Sequence, residues 1–292
     1  FKRSGARRNL HYIARRQRQM CIRDRAGRAP CNPRCTGERG WFLVSQFDRS
    51  SISRASVAAI LDATLLKPEA SRDDVAALVR EATELGCGAV CVSPSMLPLG
   101  AVVPSGSSGN DATLRVATVA GFPSGKHASL VKATEARYAA QLGADEVDVV
   151  IDVAAALAKD QNALLAELIT VREAVPHPLV LKVIVESALL DEEQLRTAVR
   201  ACVQAGADYV KTSTGFHPAG GASVEAVKIM ADELRILGKL APFGMGEEER
   251  IAAGLVGIKA SGGIRDWDAA LAMIEAGATR LGVSAAAKVL GA

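Results

Sequence analysis

From about residue 57 the chain repeats one pattern eight times: a short run rich in β-branched residues, then a longer stretch with apolar residues at helical spacing. The strand candidates are Ile60–Thr64, Ala89–Ser93, Arg115–Ala120, Glu146–Asp152, Leu179–Glu186, Tyr209–Thr214, Gly257–Ser261 and Arg280–Ser284. Between them, Ser71 followed by Arg-Asp-Asp74 predicts a capped helix start. Val75, Leu78, Val79, Ala82 and Leu85 then recur on one face, and Gly86 ends the run. Similar periods occupy about 127–142, 163–175, 191–205, 223–237 and 266–276. Echoes of Leu-Gly-Ala-Asp, Ala-Gly-Ala-Asp and Ala-Gly-Ala-Thr at 142, 205 and 276 mark recurring helix-to-strand turns. Regular alternation implies a parallel sheet, because each strand needs a crossover to return in the same direction. Eight units in roughly 236 residues match a (β/α)8 TIM barrel, which runs to ~250 residues. An open doubly wound sheet is the rival, weakened because no Gly-x-Gly-x-x-Gly follows the first strand. The expected fold class is therefore α/β, with the barrel over 55–292 and a Pro-, Gly- and Ser-rich loop at 98–112.

Residues 1–54 lack that pattern and read as a basic N-terminal extension that is non-native or disordered. They hold 14 Lys/Arg against 3 Asp/Glu, leaving 21 against 29 for the rest of a chain whose formal charge is +3. A nucleic-acid arm and an Arg-rich transit peptide are two readings. The third, preferred here, is translated sequencing-adapter text, which Met20-Cys-Ile-Arg-Asp-Arg25 resembles. The acidic remainder gives no basic face for nucleic acid. No apolar run approaches the ~20 residues of a membrane helix. Six scattered cysteines suit reduced thiols and a cytoplasmic location. Cys21, Cys31 and Cys35 with His11 match no familiar zinc spacing.

Three successive strands carry a lysine in an apolar run: Lys182, Lys211 and Lys259. The strand before them carries Asp148. Strand faces alternate with period two, so Lys182, Ile184 and Glu186 lie opposite Leu181, Val183 and Val185. If the aliphatic triplet meets the helices, Lys182 points into the barrel. Asp148 groups with Asp152, and Lys211 with Ser213, by the same parity. Lysine is seldom fully buried unless paired, so these residues could simply be structural partners of Asp148, Asp152 and Glu186. Clustering has a chemical use, however. A lysine of ordinary pKa is a neutral nucleophile in about one molecule in 2,500 at pH 7. A neighbouring ammonium and desolvation both favour the neutral amine, so Lys211 is expected to hold down the pKa of Lys182.

Small residues follow the last strands: Thr214-Gly215 after strand six, Ser261-Gly262-Gly263 after strand seven and Gly282-Val283-Ser284 at strand eight. Barrels commonly bind phosphate there through backbone N–H groups. His127 and His217 read as surface polar residues, and Cys91 as a packed strand residue rather than a nucleophile.

At these positions the chain resembles the deoxyribose-phosphate aldolase family. The matching pieces are Leu61-Asp-Ala-Thr-Leu-Leu-Lys-Pro68, Ala89-Val-Cys-Val-Ser93, Gly143-Ala-Asp-Glu-Val-Asp-Val-Val150, Leu181-Lys-Val-Ile-Val-Glu186, Val210-Lys-Thr-Ser-Thr-Gly-Phe216 and Lys259-Ala-Ser-Gly-Gly-Ile-Arg265, in the expected order. The resemblance implies reversible cleavage of 2-deoxy-D-ribose 5-phosphate to acetaldehyde and D-glyceraldehyde 3-phosphate, by a homodimer with no cofactor or metal. It implies Lys182 as the Schiff-base residue, with Asp148 and Lys211 as proton donors and acceptors. Asp62, Thr64, Thr214 and Lys259 would bind substrate. Gly215, Gly262, Gly263, Gly282 and Ser284 would hold phosphate. Two departures from the family are Ala63, where histidine is frequent, and Ala285, where a second serine or a glycine is frequent. The Ala241–Gly254 segment is longer than a minimal connection and carries no functional expectation. The alternatives are another Schiff-base aldolase or lyase acting on a different phosphorylated carbonyl compound, and a non-covalent phosphate-binding isomerase.

Overall fold

The alternation closes on itself. In the computed structural model, which describes residues 49–100 and 114–292, eight parallel strands form a closed barrel in sequence order. They are β1 (Leu61–Leu65), β2 (Ala89–Val92), β3 (Arg115–Ala120), β4 (Glu146–Val150), β5 (Val180–Ile184), β6 (Tyr209–Lys211), β7 (Gly257–Ser261) and β8 (Arg280–Val283). The register β1 to β8, with Asp62 opposite Gly282, completes the ring. Expectations for residues 1–48, including Cys21, Cys31, Cys35 and His11, and for residues 101–112 of the loop, lie outside the described residues.

Ten α-helices are assigned among the described residues: α1 (Arg54–Ala58), α2 (Arg72–Glu84), α3 (Ser129–Gln141), α4 (Val153–Leu157), α5 (Gln161–Ala174), α6 (Glu192–Gln204), α7 (Val224–Ile236), α8 (Glu247–Ala252), α9 (Trp267–Ala276) and α10 (Ala286–Leu290). The longer ones start where the side chains dictate. Ser71 and Asp74 form a reciprocal capping box on α2, and Asp191 and Gln194 do the same on α6. Ser223 and Asp266 cap α7 and α9. Each such cap contributes about 1 kcal/mol. Residues before 55 also touch the barrel: Arg49 pairs with Glu275, and the Arg54 guanidinium lies 4.8 Å from the Trp267 ring centre.

The repeated turn has a physical role. Asp145 accepts the backbone N–H of Val116, Asp208 that of Leu181, and Thr279 that of Ile258, at 2.8, 2.8 and 3.2 Å. In each case a polar residue just before an even-numbered strand satisfies the second residue of the preceding strand. The echo in sequence is thus one stitch used three times, pinning neighbouring strands at the amino-terminal end of the barrel.

Several strands are shorter than expected at their carboxyl ends. Asp152 leaves β4 to cap α4, its side chain accepting from the Ala154 N–H at 2.9 Å. Glu186 turns left-handed at φ 53° beyond β5. Strand β6 stops at Lys211, and Thr214 turns back to Glu186.

Period-two alternation divides the side chains as parity requires. Leu181, Val183, Val210, Ile258, Ala260 and Leu281 join the outer core against the helices. Inside the barrel the two halves differ. Cys91, Ala117 and Val119 form a small apolar cluster with Leu66. The β4–β8 side, joined by Asp62 of β1, instead carries buried charges. The unassigned 241–254 segment forms α8, whose buried Arg250 stacks 4.6 Å from the Tyr209 ring centre and donates to the Asp208 and Leu255 carbonyls. Tyr209 in turn donates to Glu247 at 2.7 Å. The segment therefore fastens the base of β6.

Candidate active site

The barrel interior holds four cations, Lys182, Lys211, Lys259 and Arg280, against three carboxylates, Asp62, Glu146 and Asp148, all buried. Lys182 Nζ lies 2.8 Å from Asp148 Oδ1, 2.5 Å from Glu146 Oε2 and 3.5 Å from Asp62 Oδ2. Asp148 Oδ2 accepts from both Lys211 and Lys259 at 2.7 Å. Lys259 also donates to Asp62. Arg280 donates to Asp62 Oδ1 at 2.5 Å and to both Glu146 oxygens at 3.0 Å. Register explains the grouping. Asp148 is the cross-strand partner of Lys182, and Lys259 sits between Lys211 and Arg280.

These charges distribute differently from the expectation. Burial pulls the pKa of Lys182 down, but Asp148, Glu146 and Asp62 together push harder the other way. Lys182 is held well above the ordinary lysine value. The lysine that is depressed is Lys211, first by burial and then by the Lys259 ammonium, against the opposing pull of Asp148. Burial works against the charge on Asp148 as well, yet the three lysines hold its carboxyl far below the usual range. Fully ionised, the seven groups carry one excess positive charge, so loss of a proton from Lys211 would balance them. Cys91 faces the same interior, and burial raises its thiol pKa, the direction of an unreactive packed thiol.

Above this network, at the carboxyl ends of the strands, lies a cavity of about 560 Å³, within the usual range for small-molecule sites. Of the expected residues, Lys211, Thr64, Thr214, Gly215, Gly262, Gly263, Gly282 and Ser284 line it. Lys182, Asp148, Asp62 and Lys259 do not: they are buried. The cavity thus brings the small residues together with one lysine of the three. Its phosphate end depends on absent side chains. A Cβ on Gly221 would come 2.3 Å from the Gly262 carbonyl oxygen, and one on Gly282 would press at 3.1 Å on the Lys259 stem. Glu186, buried, accepts the Thr214 hydroxyl at 2.6 Å and so ties the end of β5 to the cavity wall.

The sequence-based reading missed Glu146 and Arg280. Both stand two residues before an expected site residue on the same strand, Asp148 and Gly282, so the parity argument used for Lys182 places them inside as well. It also missed Lys67 and Arg265, exposed cations on the cavity rim, and Phe216, whose ring meets Phe122 edge-on at 5.2 Å between centres. Their signals were position after a strand end and membership of the motifs that carry the family resemblance. His127 and His217 are exposed, as expected. Among the described residues no helix is long and apolar enough to cross a membrane.

A profile of the DeoC/LacD family of aldolases matches residues 56–289. The chain is 93% identical over 249 residues to a deoxyribose-phosphate aldolase from Corynebacterium jeikeium (strain K411), covering 85% of this chain and 100% of that protein. It is 56% identical over 238 residues to a deoxyribose-phosphate aldolase from Nocardia farcinica (strain IFM 10152), covering 82% and 95% of the two chains. Among solved structures, the tetrameric deoxyribose phosphate aldolase from Aeropyrum pernix matches with a TM-score of 0.68 at 33% identity, over 82% of this chain and 91% of that one.

Proposed function

The chain belongs to the DeoC/LacD family of aldolases and is a lyase, and from that premise we propose that it reversibly cleaves 2-deoxy-D-ribose 5-phosphate to acetaldehyde and D-glyceraldehyde 3-phosphate through a Schiff base on Lys182. The observation that carries this reading is the Asp148 carboxylate bridging two buried lysines, Lys182 at 2.8 Å and Lys211 at 2.7 Å. The names of the relatives support the choice of substrate.

The geometry suggests how a strongly paired ammonium becomes a nucleophile. Lys211 is the lysine poised to be neutral, and Asp148 touches both amines. A proton passed from Lys182 through Asp148 to Lys211 frees one amine without changing the net charge of the interior. Lys182 then adds to the aldehyde carbon of the open-chain sugar, and loss of water gives a protonated imine. Deprotonation of the C3 hydroxyl breaks the C2–C3 bond, and its electrons move into the imine to form an enamine. Asp148, through water, takes that proton and returns one to C2. Hydrolysis of the resulting imine releases acetaldehyde and restores Lys182. Each positioned proton transfer contributes typically 10²–10⁴-fold.

Phosphate would sit at the Gly215, Gly262–Gly263 and Gly282–Ser284 end of the cavity, with backbone N–H groups as donors and Lys67 and Arg265 adding positive charge from the rim. Asp62, Thr64, Thr214 and Lys259 would hold the sugar end. The chemistry calls on no cofactor. The free buried thiols Cys87, Cys91 and Cys202 suit a reducing, cytoplasmic setting, and a homodimer is the assembly the family resemblance implies. Coupled assay of acetaldehyde and D-glyceraldehyde 3-phosphate from 2-deoxy-D-ribose 5-phosphate tests the reaction. Equal amounts of both products are expected. Turnover of other phosphorylated carbonyl compounds with none of this one would overturn the substrate assignment.

A further inference from the structure

The amine assigned as nucleophile is buried, and it is absent from the cavity wall. Its nearest carboxylate is Glu146 at 2.5 Å, not Asp148. Glu146 precedes Asp148 by two residues on the same strand and the same face, so it lies one pleat farther from the carboxyl-end mouth. The Lys182 amine is therefore held between Asp148, to which it donates at 2.8 Å, and Glu146 one pleat deeper, and it does not reach the cavity.

Most buried ion pairs could not open cheaply, because each partner would be left as an uncompensated charge at a cost of several kcal/mol. Here neither carboxylate would be orphaned. Glu146 keeps both Arg280 bonds at 3.0 Å and Arg115 at 3.4 Å. Asp148 keeps Lys211 and Lys259 at 2.7 Å. Asp62 keeps Lys259 and Arg280. Lys182 can thus leave without stranding a carboxylate, a freedom it shares with the other cations of the network, and it is the one paired with all three carboxylates.

We propose that Glu146, steadied by Arg280, is a positioning residue: it holds Lys182 withdrawn beneath the cavity, and release from Glu146 brings the amine up to the substrate carbonyl. This rests on Lys182 as the Schiff-base residue. Glu146 also favours the ammonium, so its charge sets the acidic limb of imine formation. The charged groups that face Lys182 are Asp62 on β1, Asp148 and Glu146 on β4, Lys211 on β6, Lys259 on β7 and Arg280 on β8. Those that face Glu146 are Lys182, Arg280 and Arg115 on β3. Removing the Glu146 charge lowers the Lys182 pKa and moves the limb to lower pH. Removing Arg280 leaves Glu146 and Asp62 acting more strongly on Lys182 and moves it to higher pH.

The test is the rate of borohydride trapping of acetaldehyde on Lys182 as a function of pH, in the full chain. Glu146→Gln shifts the midpoint of the acidic limb down by about one unit or more, a tenfold gain in rate on that limb. Glu146→Asp keeps the charge one methylene farther away and falls between wild type and Gln. Arg280→Met shifts the midpoint up. Should the Gln variant fail to fold, the opposed directions of the Asp and Met variants carry the test. A purely structural role would lower the plateau rate with no movement of the midpoint. Coincident midpoints, or Asp and Met variants that move together, overturn the proposal while leaving the aldolase reading intact. Absence of trapping on Lys182 in the wild-type chain would instead remove the proposed mechanism and this inference with it.

Discussion

Two of the lysines buried against carboxylates among the described residues, Lys132 and Lys182, sit in networks of different kinds. Lys132, on α3, lies between helix and barrel, where it donates to Glu167 and, at 2.8 Å, to the Val150 carbonyl. Glu167 has one other hydrogen bond, from the Asp152 N–H at 2.9 Å. That pair is exclusive: remove the lysine and the glutamate keeps its charge with no cation beside it. Lys182 sits among carboxylates that each have another cation. The difference teaches that burial does not separate a strut from a reactive group. Redundancy of partners does, because only a redundant member can leave its place or change its protonation without stranding a charge.

Breaking that comparison begins with Lys182→Met. Loss of the nucleophile should lower turnover by about 10⁴-fold or more. The interior would then hold three cations against three carboxylates, so the denaturation midpoint should be unchanged or raised. A large loss of stability would show that Lys182 is a strut after all. Lys132→Met should do the reverse, destabilising by about 3–5 kcal/mol in urea unfolding while activity per folded molecule stays within a few-fold. Lys211→Leu should slow imine formation near neutral pH by about 10²–10³-fold, with Lys182 still in place. Because this variant loses the proposed acceptor of the Lys182 proton, the deficit should shrink as pH rises, which stopped-flow or quenched trapping from pH 6 to 10 would reveal. Gly221→Ala sharpens the other end of the site. Its Cβ would displace the Gly262 loop, so KM for the phosphorylated sugar should rise about tenfold, with a smaller change in kcat.

Much of this was legible in the sequence. Eight alternations gave the barrel, and the family resemblance carried by its motifs is borne out by the profile match. Parity on β5 put Lys182 inside, where the structure has it. The Gly-Ala-Asp echoes were recognised as turns, although their hydrogen bonds across to the preceding strands were not foreseen. What could not be read was the register across the closed ring. Asp62 and Lys259 are 197 residues apart, and Arg280 and Glu146 are 134 apart. Only the barrel's register makes them neighbours. For that reason Asp62 was not counted against Lys182; with Glu146 on the adjacent strand also missed, the expected direction of its pKa was wrong for the resting network. The strand ends failed for a local reason: Asp152 and Glu186 continue an apolar run in sequence but turn to cap or tie other elements. Lys132 was hidden because its helix reads as an ordinary surface helix.

Under the proposed mechanism the buried Lys182 amine, not the Lys211 amine that lines the cavity, becomes the imine. Lys211 lines the cavity and has the depressed pKa, which makes it the natural competitor. Borohydride reduction in the presence of 2-deoxy-D-ribose 5-phosphate or acetaldehyde, followed by peptide mass mapping, separates the two. A two-carbon adduct on Lys182 and none on Lys211 is expected. An adduct on Lys211, or none on either lysine while the enzyme turns over, would contradict that mechanism.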